Sequence, residues 1–203
     1  MTKKIMSAFA VIIGGFSLFV LPVYAAKGYE GYPVYRDGVL LVEWHAAIME
    51  KPSIDYTNPV IHIGGLNCLV KNDSWSNFLD GSSFKGVYTP KGNVTDKDRD
   101  NVLATARKLA TEKIPYTVLC QVDYSIFCYG STIQPKNISS MRCDGVVEYC
   151  YELNNIRISG DDVWNVTQGG LLSWTRHSGI FISPKQQASL MTKISDVPPT
   201  GIY

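Results

Sequence analysis

The chain carries no excess charge of either sign. Its 203 residues hold 19 Lys and Arg against 18 Asp and Glu. That balance excludes the basic footprint that nucleic-acid binding requires. Charged residues are scattered rather than blocked, so there is no polyelectrolyte tail. Neither Cys-x-x-Cys nor His-Glu-x-x-His occurs, which removes the usual zinc patterns, and no metal or cofactor is expected. Internal repeats, low-complexity tracts and long linkers are missing. Past the N-terminus, no segment is both apolar and long enough to span a bilayer. Histidine is scarce: His45, His62 and His177 are the only three. Any imidazole acting as a base must be one of them.

The N-terminus has the pattern of a secretory signal. Lys3 and Lys4 supply a positive start, Val11 to Leu21 an apolar stretch, and Val23-Tyr24-Ala25-Ala26 the small residues of a cleavage site. Cleavage near Ala25 or Ala26 is expected, with residues 1–26 removed and 27–203 forming one domain in a secreted, extracytoplasmic location. The competing reading of the same stretch is an uncleaved anchor. The five cysteines are Cys68, Cys120, Cys128, Cys143 and Cys150. An odd count in an oxidising compartment leaves at least one thiol unpaired within the chain.

Gly28 to Asp37 reads as an extended lead-in. Val39 to Val42 and Ala46 to Met49 form apolar runs around Trp44-His45, and Val60 to Ile63 is a strand ended by Gly64-Gly65. Asn67 to Val70 is expected to return as its hairpin partner. Trp75 to Leu79 suggests a short helix, and Phe84 to Tyr88 a strand before Pro90. Thr95-Asp96-Lys97-Asp98 has the form of a capping box. Val102, Leu103, Ala106, Leu109 and Ala110 then recur at helical spacing up to about Lys113. Tyr116 to Tyr129 reads as strand or loop. A second helix is expected from Cys143 to Asn154-Asn155, capped by Ser139 or Ser140, with Val146, Val147, Cys150 and Leu153 buried. Short strands at Leu171 to Trp174 and Gly179 to Ile182 lead to a last helix opened by Ser183-Pro184.

Cys143 is the cysteine whose setting points to chemistry. At a helix start, beside Arg142, a thiol meets two influences that favour the nucleophilic thiolate. Gly145 allows another chain element or a substrate to approach the first turn. The thiol needs a base, and the base needs a partner to hold its tautomer. His45 and His62 lie on neighbouring predicted strands, where antiparallel pairing sets two imidazoles side by side on one face. His177, in Arg176-His177-Ser178-Gly179, is a competing base. Cys150 reads as core. Cys120 and Cys128 flank a short aromatic stretch and are spaced to allow a bridge. Cys68 has no evident partner. Tyr32, Tyr35, Tyr116 and Tyr124 are candidate cleft residues.

Taken in order, Tyr35-Arg36-Asp37-Gly38-Val39-Leu40, Trp44-His45-Ala46-Ala47-Ile48, His62, the helix opened by Thr95 and Arg142-Cys143-Asp144-Gly145-Val146-Val147 resemble a circularly permuted papain-like fold. That group includes the permuted NlpC-type peptidases, the YiiX-like proteins and the lecithin–retinol acyltransferase relatives. The resemblance runs from about Tyr35 to Leu153, more weakly to Ser183-Pro184. It implies an α+β fold with an antiparallel sheet packed against helices and the nucleophilic cysteine at a helix N-terminus. It further implies Cys143 as nucleophile, His45 as general base and His62 as the residue orienting that base. Cys-Asp-Gly departs from the commoner Cys-Ser-Gly of unpermuted relatives.

The expected activity is that of a cysteine hydrolase, a peptidase or amidase working through a thioester. Its partner would be a peptide or amide substrate, and the exported location suggests peptidoglycan fragments. A thiol-dependent lipid acyltransferase or esterase on the same fold is the alternative, and a non-catalytic exported binding domain the third reading. Contact with a membrane is expected only through the export signal.

Overall fold

A computed structural model describes residues 29–38, 43–51, 59–125, 128, 130–158, 165–170 and 182–199. Its centre is an antiparallel sheet of six strands: β1 (Pro33–Asp37), β2 (Trp44–Met49), β3 (Val60–His62), β4 (Lys71–Asp73), β5 (Phe84–Thr89) and β8 (Thr192–Ser195), in the spatial order β4-β3-β2-β1-β5-β8. The first four form a meander. A separate two-stranded ribbon joins β6 (Val122–Tyr124) to β7 (Ile138–Met141). The helices are α1 (Trp75–Leu79), α2 (Asp96–Glu112), α3 (Cys143–Glu152) and α4 (Pro184–Leu190). The chain is thus mixed α+β, an antiparallel sheet with helices packed on it.

The sheet is covered on both faces, which explains why β1 and β2 are buried nearly throughout. Alternation along each strand sends successive side chains to opposite faces. Tyr35, Ala46, Ile48, Ile61 and Ile63 join Val102, Leu103, Ala106 and Leu109 of α2 and Val146 and Val147 of α3 in the larger core. Val34, Ala47, Met49, Val60 and Val87 pack under Trp75 and Phe78 of α1 on the other face.

Residues 33–37 are a correction to the extended lead-in expected there. They form an interior strand, with Val34 paired to both Ala47 and Val87. Pro33 at the strand's first position and the polar Arg36-Asp37 at its end hide it from an alternation count. The partner of β3 is Lys71–Asp73 rather than Asn67 to Val70.

Helix α2 begins as expected. Thr95 caps it with a reciprocal Asp98 capping box, and it stops at Lys113 in the left-handed conformation. Ser183 and Gln186 make the same device for α4. Helix α3 departs from expectation at its start. Arg142 is the cap residue and gives no side-chain cap, because Ser139 and Ser140 lie within β7. The Arg142 N–H instead donates to the Gln121 carbonyl at 3.0 Å. Every residue of α3 is buried, including Asp144, Glu148 and Glu152. A Cβ on Gly145 would meet the Gln121 carbonyl oxygen at 1.8 Å. Only glycine admits that chain to the first turn of α3. Among the described residues, no helix is long and apolar enough to cross a membrane.

Candidate functional site

Four adjacent strands bring polar groups together on the α1 face of the sheet. His45 on β2 is the cross-strand partner of Arg36. Nε2 of His45 and Nδ1 of His62, on β3, are 2.9 Å apart, and Nε2 of His62 is 3.2 Å from Oδ2 of Asp73, on β4. Phe78 of α1 closes over both rings, with centroids 5.7 Å from each. The Arg36 guanidinium lies 5.9 Å from the same ring. The side-by-side imidazoles expected from the strand pattern are therefore present, and Asp73 extends them into a three-member chain. Asp73 was not among the sequence candidates. It ends a three-residue strand, Lys-Asn-Asp, with no hydrophobic signature, and only its place beside β3 marks it.

Cys143 reaches this region from the opposite layer. It is the first residue of α3 and belongs to the core cluster that contains Tyr35, Ala46 and Ile48. Pairing of β2 with β3 involves only Ile48 and Met49. The Ala46 and Asp144 N–H groups lie close enough to the sulfur to favour its charged form. Cys143 thus sits against the residue that follows His45, while the His45 ring projects toward α1.

Electrostatics overturn one expectation. Burial pushes the Cys143 thiol up to about 12, and the neighbouring Asp144 adds to the rise. The Ala46 N–H, Arg142 and the Asp144 N–H only partly offset it. Arg142 is committed elsewhere. Its Nε and Nη2 hold Asp144 at 2.7 and 2.6 Å, and Nη2 also donates to the Ile182 carbonyl. Gln121 gives Asp144 a further hydrogen bond at 3.2 Å. The helix start therefore carries a neutral thiol at rest, not a thiolate. A thiol with only 2% of its surface exposed gains less from a helix dipole than burial takes away.

Burial also holds His45 well below the ordinary imidazole range, with His62 and Arg36 acting in the same direction. His62 is lowered by burial too, although Asp73 opposes the shift. Burial would raise the Asp73 carboxyl, but hydrogen bonds from Lys71, Asn77, His62 and the Ser74 N–H outweigh it and hold the group below the usual carboxylate range. The resting site thus combines a neutral thiol, two neutral imidazoles and an ionised carboxylate. A proton can leave the sulfur only if a base takes it.

The remaining candidates separate. Tyr35 is fully buried and donates to Gln187 at 2.8 Å, and Tyr124 is buried and donates to the Gly170 carbonyl at 2.9 Å. Both are core rather than cleft. Tyr32 faces Arg99 at 4.5 Å. Tyr116 is half-buried, and burial, with Cys143 and Asp144 acting the same way, pushes its phenol up to about 12. Cys150 is core, as expected. The Cys120–Cys128 bridge does not form, and all five cysteines are free. His177, the strand expected at Leu171 to Trp174, the strand expected at Gly179 to Ile182 except its last residue, and the leader at 1–26 lie outside the described residues. Among the described residues, no group of three or more His, Cys, Asp or Glu is arranged to hold a metal.

Compared with known proteins, the chain matches no family model, no curated protein and no solved structure.

Proposed function

We propose that this chain is a secreted cysteine hydrolase on a permuted papain-like fold that cleaves an amide bond, with Cys143 as nucleophile, His45 as general base and His62 holding the base. The observation that carries the reading is the placement of Cys143, at the first position of a helix, in the buried cluster that holds Ala46, next to His45 on β2. The preceding residue, His45, is itself bound by a second imidazole. Its supports are the chain order, with two histidine strands, then α2, then the cysteine helix, and the antiparallel sheet against that helix.

In this mechanism His45 removes the thiol proton as the sulfur attacks the carbonyl carbon. The S–H bond breaks, an N–H bond forms on the imidazole, and the carbonyl π electrons move to oxygen. The N–H of Cys143 is at the first helical position, where no intrahelical acceptor exists, and is the donor for that oxygen. The protonated base then gives its proton to the departing amine. Water hydrolyses the thioester and restores the thiol. The sulfur and Nδ1 of His45 have to close on one another for the first step, with the Nε2 contact to His62 kept. Catalytic hydrogen bonds often tighten only once substrate is bound.

The expected leader places the domain outside the cytosol, where cell-wall peptides are the available amides. A second reading, acyl transfer or hydrolysis on lipids, is favoured by one observation. Leu66, Leu69, Val118 and Leu119 are exposed on the loops after β3 and before β6. Both loops lie near the start of α3, since Cys68 pairs with Tyr116 and Thr117 with Met141.

The test incubates the purified protein and Cys143→Ala with peptidoglycan fragments and, separately, with labelled phospholipid. The wild type should release new amino termini from the first, and the variant should lose at least about a thousandfold of that rate. Full hydrolysis by Cys143→Ala would rule out the assignment. Turnover of phospholipid alone would select the lipid reading.

A further inference from the structure

We propose that Asp73 is a positioning residue that sets the proton arrangement of His45 through His62, so that Nδ1 of His45 is the bare nitrogen available as base. The proposal rests on the reading of His45 as the base and adds a residue to that site.

The argument follows the donors in one direction. The Asp73 carboxylate has donors on both oxygens. Oδ1 accepts from Ser74 N at 2.8 Å and from Asn77 Nδ2 at 2.7 Å, and Oδ2 accepts from Lys71 Nζ at 2.6 Å and faces His62 Nε2 at 3.2 Å. An ionised carboxylate can only accept. Nε2 of His62 must therefore carry a hydrogen. His62 is buried with 3% of its surface exposed and is neutral, so its Nδ1 is a bare acceptor. Nε2 of His45, at 2.9 Å, must then be the donor. A neutral His45 with its hydrogen on Nε2 has its lone pair on Nδ1. The carboxylate thus fixes a tautomer two rings away, through hydrogen bonds that each have one permitted direction.

The arrangement also suits the moment of proton transfer. When Nδ1 of His45 takes the thiol proton, the new cation still donates through Nε2 to His62, whose far side faces the Asp73 charge. No bond in the relay has to reverse. Were His62 itself protonated, its Nδ1 would donate to His45 and force the hydrogen of His45 onto Nδ1, which removes the base. The groups bearing on His62 are Arg36 and Lys71, which oppose its protonation, and Asp73, which favours it. Burial and the two cations keep the relay in its working sense.

Long-range imidazole 1H–15N spectra of the full chain at pH 7.5 should show both His45 and His62 with hydrogen on Nε2. This measurement needs no variant, and finding hydrogen on Nδ1 of either ring refutes the relay. In Asp73→Asn the side-chain amide can turn its N–H toward His62. The His45 hydrogen should then move to Nδ1, and chloroacetamide labelling of Cys143, located by peptide mass, should slow at least about tenfold. Unchanged ring signals and unchanged labelling in that variant also refute it. If the spectra behave as stated but Cys143→Ala keeps its hydrolytic rate, the nucleophile is wrong and the relay stands. If Cys143 proves essential but the rings show the other tautomer, the relay alone fails.

Discussion

Acid should unfold this protein through its two buried histidines, and the size of the effect can be bounded. Both rings are neutral in the fold, and burial holds both below the ordinary imidazole value. In the unfolded chain each regains a value of about 6.5. Their stabilising contribution is fully present above that value and is lost as pH falls below it, because only the unfolded state takes up protons. At pH 5.5, one unit lower, linkage sets a ceiling of about 1.4 kcal/mol for each ring and about 3 kcal/mol for the pair. Asp73 does not contribute in this window. Its carboxyl is held low in the fold, so its own contribution is lost only below about pH 4. Urea unfolding at pH 7.5, 6.5 and 5.5 measures the change. His45→Phe, with a ring able to pack on Phe78 in place of the imidazole, should lose about half as much over the same range. Stability that stays flat or rises between pH 7.5 and 5.5, or an equal loss in wild type and His45→Phe, would refute the claim that these rings are held neutral.

Two substitutions test how the start of α3 is built. Gly145→Ala places a methyl group on the Gln121 carbonyl oxygen, so the loop or the helix must move. A loss of about 1–3 kcal/mol or more is expected in thermal unfolding, far from the gain usual for glycine to alanine inside a helix. Arg142→Met leaves the fully buried Asp144 with Gln121 as its remaining side-chain donor. Breaking such a pair from one side costs about 3–5 kcal/mol, and urea titration should show it at neutral pH.

Much of the frame is legible in the residues. The capping box at Thr95 and the helical spacing from Val102 to Leu109 define α2, because both signals are local. His45 and His62 each sit in a short apolar strand, and alternation puts the two rings on one face once the register of β2 on β3 is set. Other features are fixed by distant partners. Strand β1 lies between β2 and β5, and its pairing with Val87 is set by chain more than fifty residues away. Ser140 has the chemistry of a helix cap, but β7 runs on to Met141 and Gln121 takes the Arg142 N–H.

The same division holds at the site. Residue type and order determined by themselves which side chains were available: one cysteine at a helix start and two histidines on successive strands. The tertiary structure alone decided their protonation, because desolvation depends on what covers a group and not on its neighbours in the chain. Burial makes Cys143 a neutral thiol despite the helix and the arginine beside it. The sheet edge supplies Asp73, a residue with no mark in the sequence, as the last member of the histidine chain.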